Sequence, residues 1–185
     1  CLAVSYVPHI TVLAEAPLSG NDGTARWVRL VIPQPREIMV TGDVILPASK
    51  VTISGAADAG ELERQAANEL VEVFRKAAKI RPPVRVRKGK VPLEGRKRAD
   101  GLEIALGRCG KDGAMAGQAV PDTQRLFTVP NADQAYRIVP LGHRTLALVG
   151  TRPEGVYYAA NTLKQLLASA FTEDTGQHLV TIPIV

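Results

Sequence analysis

Few side chains in this sequence have the residue type and the spacing that catalysis requires. Three histidines, His9, His143 and His178, stand far apart, and none has a cysteine, histidine or acid at metal-ligand spacing. The sequence contains no H-E-x-x-H, no G-x-S-x-G and no phosphate-binding G-x-x-x-x-G-K-[ST]. We therefore interpret the histidines as solvated surface residues and predict neither a metal nor a cofactor.

Cys109 is the one nucleophile that merits consideration. A cysteine becomes a strong nucleophile when a basic group lowers its pKa, and no histidine stands in a helper position near Cys109. Gly107 and Gly110 follow a predicted strand, but the third glycine and the helix of a dinucleotide site are missing. We interpret this stretch as structural.

Pairs of carboxylates are also candidates, because two carboxylates suffice for catalysis in many enzymes. Pairs on a helix face or in a polar loop are usually solvated, and none of the pairs here suggests an acid and a base. We therefore predict no catalytic residue. The pairs are Asp100 and Glu103, Glu69 and Glu72, and Glu173 and Asp174.

Positive charge is concentrated in one stretch. Between Arg81 and Arg98 lie eight cations and one acid, whereas the whole chain of 185 residues has a net charge of +5. The alternation in "VRVR" predicts a half-exposed strand that runs into a flexible, solvated loop. The stretch has no aromatic residue for base stacking, so we predict no nucleic-acid partner. The alternative is binding of an acidic glycan through Arg85, Arg87, Lys88 and Lys90.

Composition and length indicate one soluble domain. Hydrophobic residues make up 45% and charged residues 22% of the chain, and no stretch of twenty apolar residues exists, so we predict no membrane span. Two cysteines are too few for a disulfide framework, and whether Cys1 and Cys109 pair stays open. "AEA" at 14–16 has the form of a signal peptidase site. Residues 1–16 are thus either the remnant of an export signal or a first strand, and we divide the chain into 1–26 and a domain over 27–185.

The elements that carry these residues follow from hydrophobic periodicity. Short β-rich runs predict strands at 27–35, 43–47 and 51–55. Apolar residues three or four apart predict a helix over 61–80, with Asp58 and Glu61 as a capping box and "RPP" at 81–83 as its end. Strands at 84–87 and 102–107 follow, then a long excursion over 108–132 with at most one helical turn.

The C-terminal part has the clearest pattern. A hairpin joins 135–140 to 144–150, with Gly142 in the turn. A second helix opens at "TRPE", with Thr151 and Glu154 as a capping box, and buries a stripe that includes Val156, Leu163 and Leu166. "TEDTGQ" reads as a polar loop, and 179–185 as the last strand. We predict an α+β two-layer sandwich, in which two long helices pack on one face of a mixed sheet of about seven strands.

Several of these stretches together resemble a known module. They are "IPQPREIMVTGDVILP", "ELERQAANELVEVFRKA", "LEIALG", "AYRIVPLGHRTLALVGTRPEGVYYAANTLKQLL" and "VTIPIV". Their order resembles the N-terminal non-catalytic domain of family 20 glycoside hydrolases, the β-N-acetylhexosaminidases, with related domains in families 84 and 67. The resemblance implies the fold called zincin-like, which holds no zinc, and a partner: a (β/α)8 catalytic barrel after residue 185.

The resemblance also defines what this chain is expected to do. The catalytic Asp-Glu pair of family 20 has no counterpart here, so the chain is expected to be a non-catalytic accessory domain of a secreted or periplasmic glycoside hydrolase. The loop at 168–178 is longer than the usual helix-to-strand connection, which leaves the choice among families 20, 84 and 67 open. Tyr157, Tyr158, Asn161, Thr162 and Gln165 are expected to be structural or to face a neighbouring domain, with sugar binding by the tyrosines as the alternative.

Overall fold

The computed structural model describes residues 27, 29–32, 37, 40–87 and 101–184. The predictions for 1–26 lie outside these residues. The two helices are α1 (Glu61–Ala78) and α2 (Pro153–Leu166). The strands are β1 (Gly42–Pro47), β2 (Val51–Ala56), β3 (Val84–Arg87), β4 (Leu102–Arg108), β5 (Ala114–Met115), β6 (Gln118–Ala119), β7 (Tyr136–Leu141), β8 (Thr145–Gly150), β9 (Phe171–Asp174) and β10 (Gln177–Ile184).

The strands form a mixed five-stranded sheet and smaller antiparallel units. The order in the large sheet is β3-β2-β4-β8-β7, with β7 antiparallel to β8 and the other neighbours parallel. A second sheet has the order β1-β10-β9, and β5 pairs with β6. The α+β class is confirmed, and the strands expected in one sheet are distributed over these units.

Both helices pack on one face of the five-stranded sheet. Because side chains alternate along a strand, Ile104, Leu146 and Leu148 face the helices and join one core with Phe74 and Leu163. The stripe predicted for α2 is confirmed, and α1 buries Ala66, Leu70 and Phe74 as its period predicts.

The opposite face of β4, β8 and β7 has its own smaller core. Ala105, Ala147 and Val149 contact Met115 and Leu126 from the excursion between β4 and β7. The excursion contains the β5–β6 hairpin and a 3₁₀ turn at Thr123–Phe127, in agreement with the predicted helical turn. Its lack of a sustained period reflects two short strands and one turn that each bury single residues.

Both predicted capping boxes are wrong. Gly60 is the N-cap of α1, and its N–H donates to Glu63 Oε2 at 2.7 Å. The Asp58 carboxylate does not cap the helix and instead accepts from Arg108 Nη2 at 2.9 Å. Arg152 is the N-cap of α2, and the Thr151 hydroxyl donates to the carbonyl of Ala132 instead.

Three further features differ from the sequence prediction: one helix end and the type of two elements. α1 ends at Ala78 because Lys79 adopts the left-handed conformation (φ 57°), before the prolines. In the predicted strand over 27–35, the described residues form a turn: Leu30 N–H donates to Trp27 O at 3.1 Å, and Trp27 and Val31 reach the core four residues apart. The predicted polar loop "TEDTGQ" contains the last three residues of β9 and the tight turn that joins β9 to β10.

The hairpin that feeds α2 agrees with the prediction. Gly142 has φ 63° in the β7–β8 turn. Gly150 lies so close to α2 that a Cβ there would stand 2.6 Å from Val156 N, so the helix and the sheet approach each other closely at this point. None of the helices in the described ranges is long and apolar enough to cross a membrane.

Candidate interaction surface

Glu69 is the centre of a polar network between the two helices. Its carboxylate accepts hydrogen bonds from Lys164 Nζ at 2.7 Å and from the Tyr157 hydroxyl at 2.9 Å, both on α2. Gln65, one turn earlier on α1, donates to the same carboxylate at 3.2 Å. The network therefore joins α1 to α2 on the side of the helix layer that faces away from the sheet.

The electrostatics of Glu69 follow from these contacts. The hydrogen bond from Lys164 lowers the pKa of Glu69 below its usual value, and partial burial opposes this effect without reversing it. Glu69 is thus held as the anion, and its charge is compensated by Lys164. This part of the helix layer is consequently neutral at physiological pH.

The tyrosines of α2 have different roles. Tyr157 bonds to Glu69, and its ring lies edge-on to that of Tyr158, with the centroids 6.2 Å apart. Tyr158 is 43% exposed. Thr162 is buried and shares a 2.7 Å hydrogen bond with the Tyr136 hydroxyl of β7, which makes it structural, as expected.

Gln165 holds the segment that precedes β1 against α2. Its side-chain oxygen accepts the Ile32 N–H at 2.6 Å, and its amide donates to Ile32 O at 3.1 Å, which imitates the reciprocal pairing of two strands. The backbone of Ile32 is thereby fixed, while its side chain is 79% exposed. An apolar side chain is thus presented to solvent on a hydrogen-bonded backbone.

The outer row of α2, in which Glu154 and Tyr158 are exposed and Asn161 and Gln165 are half-buried, has few charges. Glu154, Tyr158, Asn161 and Gln165 are four, three and four residues apart, so they lie along one side of the helix. Only Glu154 in this row is charged, whereas solvent-facing helix rows are normally rich in lysine and glutamate. Tyrosine enrichment together with charge depletion is typical of protein–protein contact surfaces. We call the exposed sides of Ile32, Tyr158, Asn161 and Gln165 the α2 face.

Cys109 lies apart from this surface, in the smaller core. It is 6% exposed, and its thiol donates to Gly150 O at 3.6 Å. Burial raises the pKa of the thiol, which disfavours the reactive thiolate at neutral pH. Cys109 is a free thiol, and Cys1 lies outside the described residues.

The remaining candidates do not come together. His143 is in the β7–β8 turn and His178 on β10, while His9 and Asp100 lie outside the described residues. Within the described ranges, no group of three histidine, cysteine or acidic side chains could hold a metal. Glu72 pairs with Arg75 at 2.6 Å, and Glu173 and Asp174 are exposed on β9.

Arg87 is not available as a glycan ligand. Its side chain is 9% exposed and contacts Glu103 Oε1 at 2.7 Å, and its Nε donates to Ser54 Oγ at 2.9 Å. All three side chains lie on the sheet face opposite the helices, where the ion pair joins β3 to β4 across β2. The alternative in which Arg87 contacts a glycan is contradicted for this reason. Arg85 is exposed, and Lys88 and Lys90 lie outside the described residues.

Comparison with protein families assigns most of the chain to one family. Residues 29–184 match the family model for glycosyl hydrolase family 20, domain 2. The chain belongs to this family. The match covers nearly all of the predicted domain over 27–185, and the resemblance inferred from the motifs is confirmed.

The solved structures that match this chain are longer proteins. The N-acetyl-β-hexosaminidase of Streptomyces plicatus is 21% identical with a TM-score of 0.48, over 91% of this chain and 28% of that one. The β-N-acetylhexosaminidase of Streptomyces coelicolor A3(2) is 20% identical with a TM-score of 0.48, over 85% and 26%. The exo-β-N-acetylglucosaminidase of Vibrio harveyi in complex with N-acetylglucosamine is 14% identical with a TM-score of 0.44, over 85% and 19%. This chain therefore spans between 19% and 28% of the length of these structures. Among curated proteins, none matches the sequence significantly.

Sequence reasoning identified the outer residues of α2 but not the contacts that organise them. Glu69 was grouped with Glu72 as a helix pair, although Glu69 bonds across to α2 and Glu72 does not. The signal was the position of Glu69 on α1, one turn after Gln65, together with Tyr157 one turn and Lys164 three turns into α2. These positions indicate a contact only when the packing angle of the two helices is known, and the sequence alone does not give that angle.

Proposed function

We propose that this chain is the non-catalytic accessory domain of a secreted β-N-acetylhexosaminidase-like enzyme, and that it packs through the α2 face against a following (β/α)8 barrel. The observation that carries the proposal is the α2 face itself: an ordered, charge-poor surface with Tyr158 and Ile32 exposed, on a domain of a glycoside hydrolase family. The match to the family's domain 2 supports an accessory role in such an enzyme.

The state of the acidic side chains supports a non-catalytic role. Glu63 bonds to Arg108 and to the backbone of Gly60, Glu69 to Lys164, and Glu103 to Arg87. A general acid or base must instead be able to exchange a proton with a substrate placed against it. These carboxylates hold elements of the fold together.

The α2 face suits a rigid support better than a mobile binding loop. Residues from Tyr158 to Gln165 span about 10 Å along the helix at 1.5 Å per residue. Ile32 at one end is fixed by two hydrogen bonds, and Tyr158 at the other packs on Tyr157. A surface ordered before binding loses little conformational entropy when a partner docks.

Variants in the full-length parent enzyme test this role. Tyr158→Ala and Ile32→Ser remove the two exposed anchors, and we expect each to lower the thermal midpoint and the activity half-life of the parent, at a cost of about 1–2 kcal/mol in domain contact. Ile45→Ser is the matched control, because Ile45 is 59% exposed on β1, which belongs to the other sheet. The same substitutions in this 185-residue chain alone show whether the loss of stability arises from folding of the domain or from its contact with a barrel. Parent stability that changes equally for Ile45→Ser, or not at all for the α2 face variants, contradicts the proposal.

The size of the native polypeptide tests the wider proposal. A (β/α)8 barrel adds about 250 residues, so an antibody raised against this chain is expected to detect a protein of roughly 48 kDa or more. A single band near the 19.8 kDa of this chain would contradict it. That result would favour the alternative, a stand-alone module for acidic glycans.

Export is proposed from "AEA" at 14–16, which has the form of a signal peptidase site. We expect the same antibody to detect the protein in the medium or the periplasm. Detection in the cytoplasmic fraction alone would contradict secretion without affecting the accessory role.

A further inference from the structure

The edge strand β3 is open along one side. It pairs with β2, and no other strand in the described ranges pairs with it. Ile53 N–H donates to Pro83 O at 3.1 Å, and along a parallel pair every second residue bonds to the neighbouring strand. Pro83 and Arg85 therefore direct their backbone groups toward β2, whereas Val84 and Val86 direct theirs to the open edge. β3 thus offers unpaired N–H and C=O groups to an added strand.

The side chains of β3 on the helix side of the sheet are poorly covered. In the register of the two strands, Ile53 stands beside Val84, and Gly55 stands beside Val86. A Cβ at Gly55 would meet nothing within 4 Å, so the helix layer does not cover this position. Val84 is 49% and Val86 64% exposed. Both valines therefore leave apolar area that a neighbouring strand would bury.

The opposite face of β3 carries positive charge. The register places Arg85 beside Ser54, on the side of the sheet away from the helices. Arg87 lies on the same side and is paired with Glu103 at 2.7 Å. Arg85 is exposed and makes no ion pair with any residue that the structure describes. It is therefore the cation that a strand added to this edge would meet.

The charge of Arg85 restricts the chemistry of the added strand. Residues directly opposite each other in paired strands share a face, and like charges in such a pair are destabilising. A second copy that paired three residues of its own β3 antiparallel with this edge would place Arg85 opposite Arg85 or Arg87 of that copy. Pairing between two copies is therefore disfavoured, whereas a carboxylate opposite Arg85 is favoured.

We propose that the open edge of β3 binds an extended segment of a second polypeptide as an additional strand of the sheet. The segment places an acidic side chain opposite Arg85 and apolar side chains beside Val84 and Val86, and its backbone bonds to the outward groups of the two valines. The other edge of the sheet is not equivalent, because Pro140 of β7 lacks the N–H that an added strand requires. The proposal does not depend on a catalytic barrel.

A synthetic peptide in which valine alternates with glutamate tests the proposal, with the corresponding valine–lysine peptide as the charge reference. The readout is amide hydrogen exchange of the 185-residue chain. We expect the amides of Val84 and Val86 to exchange rapidly without peptide, whereas the amide of Arg85 is already protected by β2. At ten times its dissociation constant, the valine–glutamate peptide should slow the two valine amides by about tenfold.

Variants of β3 separate the backbone from the side chains. Val86→Pro removes an outward N–H and breaks no hydrogen bond to β2, and we expect it to weaken binding of the valine–glutamate peptide by about tenfold. Val86→Ala keeps the donor and should weaken binding less. Arg85→Glu should reverse the preference, so that the valine–lysine peptide binds more tightly. The matched control Lys111→Glu makes the same charge change in an exposed turn and should leave the preference unchanged.

Circular dichroism and thermal midpoints establish that each variant is folded, and Arg85→Glu and Val86→Ala keep the test decisive if Val86→Pro is not. The proposal is overturned if neither peptide slows the two valine amides, or if Arg85→Glu and Lys111→Glu change the preference equally. Protection of these amides that rises with the concentration of the chain itself, without peptide, would show that a second copy occupies the edge. That result also overturns the proposal.

Discussion

The contact between the helices through Glu69 gives the sharpest test of the structure. Glu69→Gln keeps the shape of the side chain but removes the charge that Lys164 and Tyr157 engage at 2.7 and 2.9 Å. The substitution should destabilise the fold, since both helices contribute to the same core. It should leave the secondary structure unchanged.

The expected loss of stability on Glu69→Gln follows from how far Lys164 and Glu69 are exposed to solvent. The side chains of Lys164 and Glu69 are 39% and 27% exposed, so solvent screens their attraction and the ion pair contributes less than about 1 kcal/mol. The hydrogen bond from Tyr157 to a charged acceptor adds about 1 kcal/mol relative to a neutral one. We therefore expect a loss of about 1.5 kcal/mol in the free energy of unfolding, equivalent to about 4 °C in the thermal midpoint of a chain of this size.

The dependence on pH distinguishes this mechanism from simple loss of packing. The pKa of Glu69 in the folded chain lies below its usual value of 4.5, so its contribution is complete above that value and is lost as the pH falls through the folded pKa. Urea unfolding at a series of pH values should show the full difference between the unmodified chain and Glu69→Gln at pH 7. The difference should disappear in acid.

Two results would refute this reasoning. One is a difference in stability that stays the same from pH 7 down to pH 3, which would show that the charge of Glu69 is irrelevant. The other is an equal loss for Glu173→Gln, which alters an exposed carboxylate on β9 away from the helix interface. A double-mutant cycle with Lys164→Gln should recover most of the coupling between the two side chains.

Further predictions concern Gly155, the N-terminal cap of α1 and the thiol of Cys109. Gly155→Ala should cost more than about 3 kcal/mol or prevent folding, because the added Cβ would clash with the carbonyl of Ala135, whereas Gly55→Ala meets nothing within 4 Å and serves as the control in thermal unfolding. Glu63→Ala should cost about 2 kcal/mol in urea unfolding, because it removes both the 2.7 Å acceptor at Gly60 N–H and the partner of Arg108; a loss no larger than that of Glu61→Ala would contradict this role. Iodoacetamide should modify Cys109 at pH 8 only after denaturation, as peptide mapping would reveal, because burial raises the pKa of its thiol; rapid labelling of the folded chain would contradict its placement in the smaller core.

The parts of the fold that sequence predicts are those with a regular period. Two helices and the strands β1 to β4, β7, β8 and β10 each repeat apolar residues over several positions, and their approximate positions are confirmed. β9 was not predicted, because its four residues "FTED" are mostly polar. Its pairing with β10 depends on the tight turn at Thr175 and Gly176. The division into separate sheets depends on which strands pair, which local periodicity does not encode.

The predictions of the two capping boxes are wrong for a different reason. A serine, threonine or aspartate three residues before a glutamate is a statistical signature, and tertiary contacts compete for the same side chains. Asp58 is engaged by Arg108, 50 residues away, and Thr151 by a carbonyl 19 residues away. Neither competitor is visible in the local sequence. The cap that does form uses Glu63, which is almost fully buried and satisfies two partners at once.

The α2 face shows why a contact surface is harder to predict than a core. The uncharged row of Tyr158, Asn161 and Gln165 was visible from the sequence, but a polar helix row has many uses. What gives the row its character is the bond of Gln165 to the backbone of Ile32, 133 residues away. That bond fixes an exposed isoleucine beside an uncharged helix surface. Exposure of apolar area is unfavourable, so burial of the Ile32 side chain under a partner would lower the free energy of this arrangement. That gain is the physical basis of the docking role proposed for this domain.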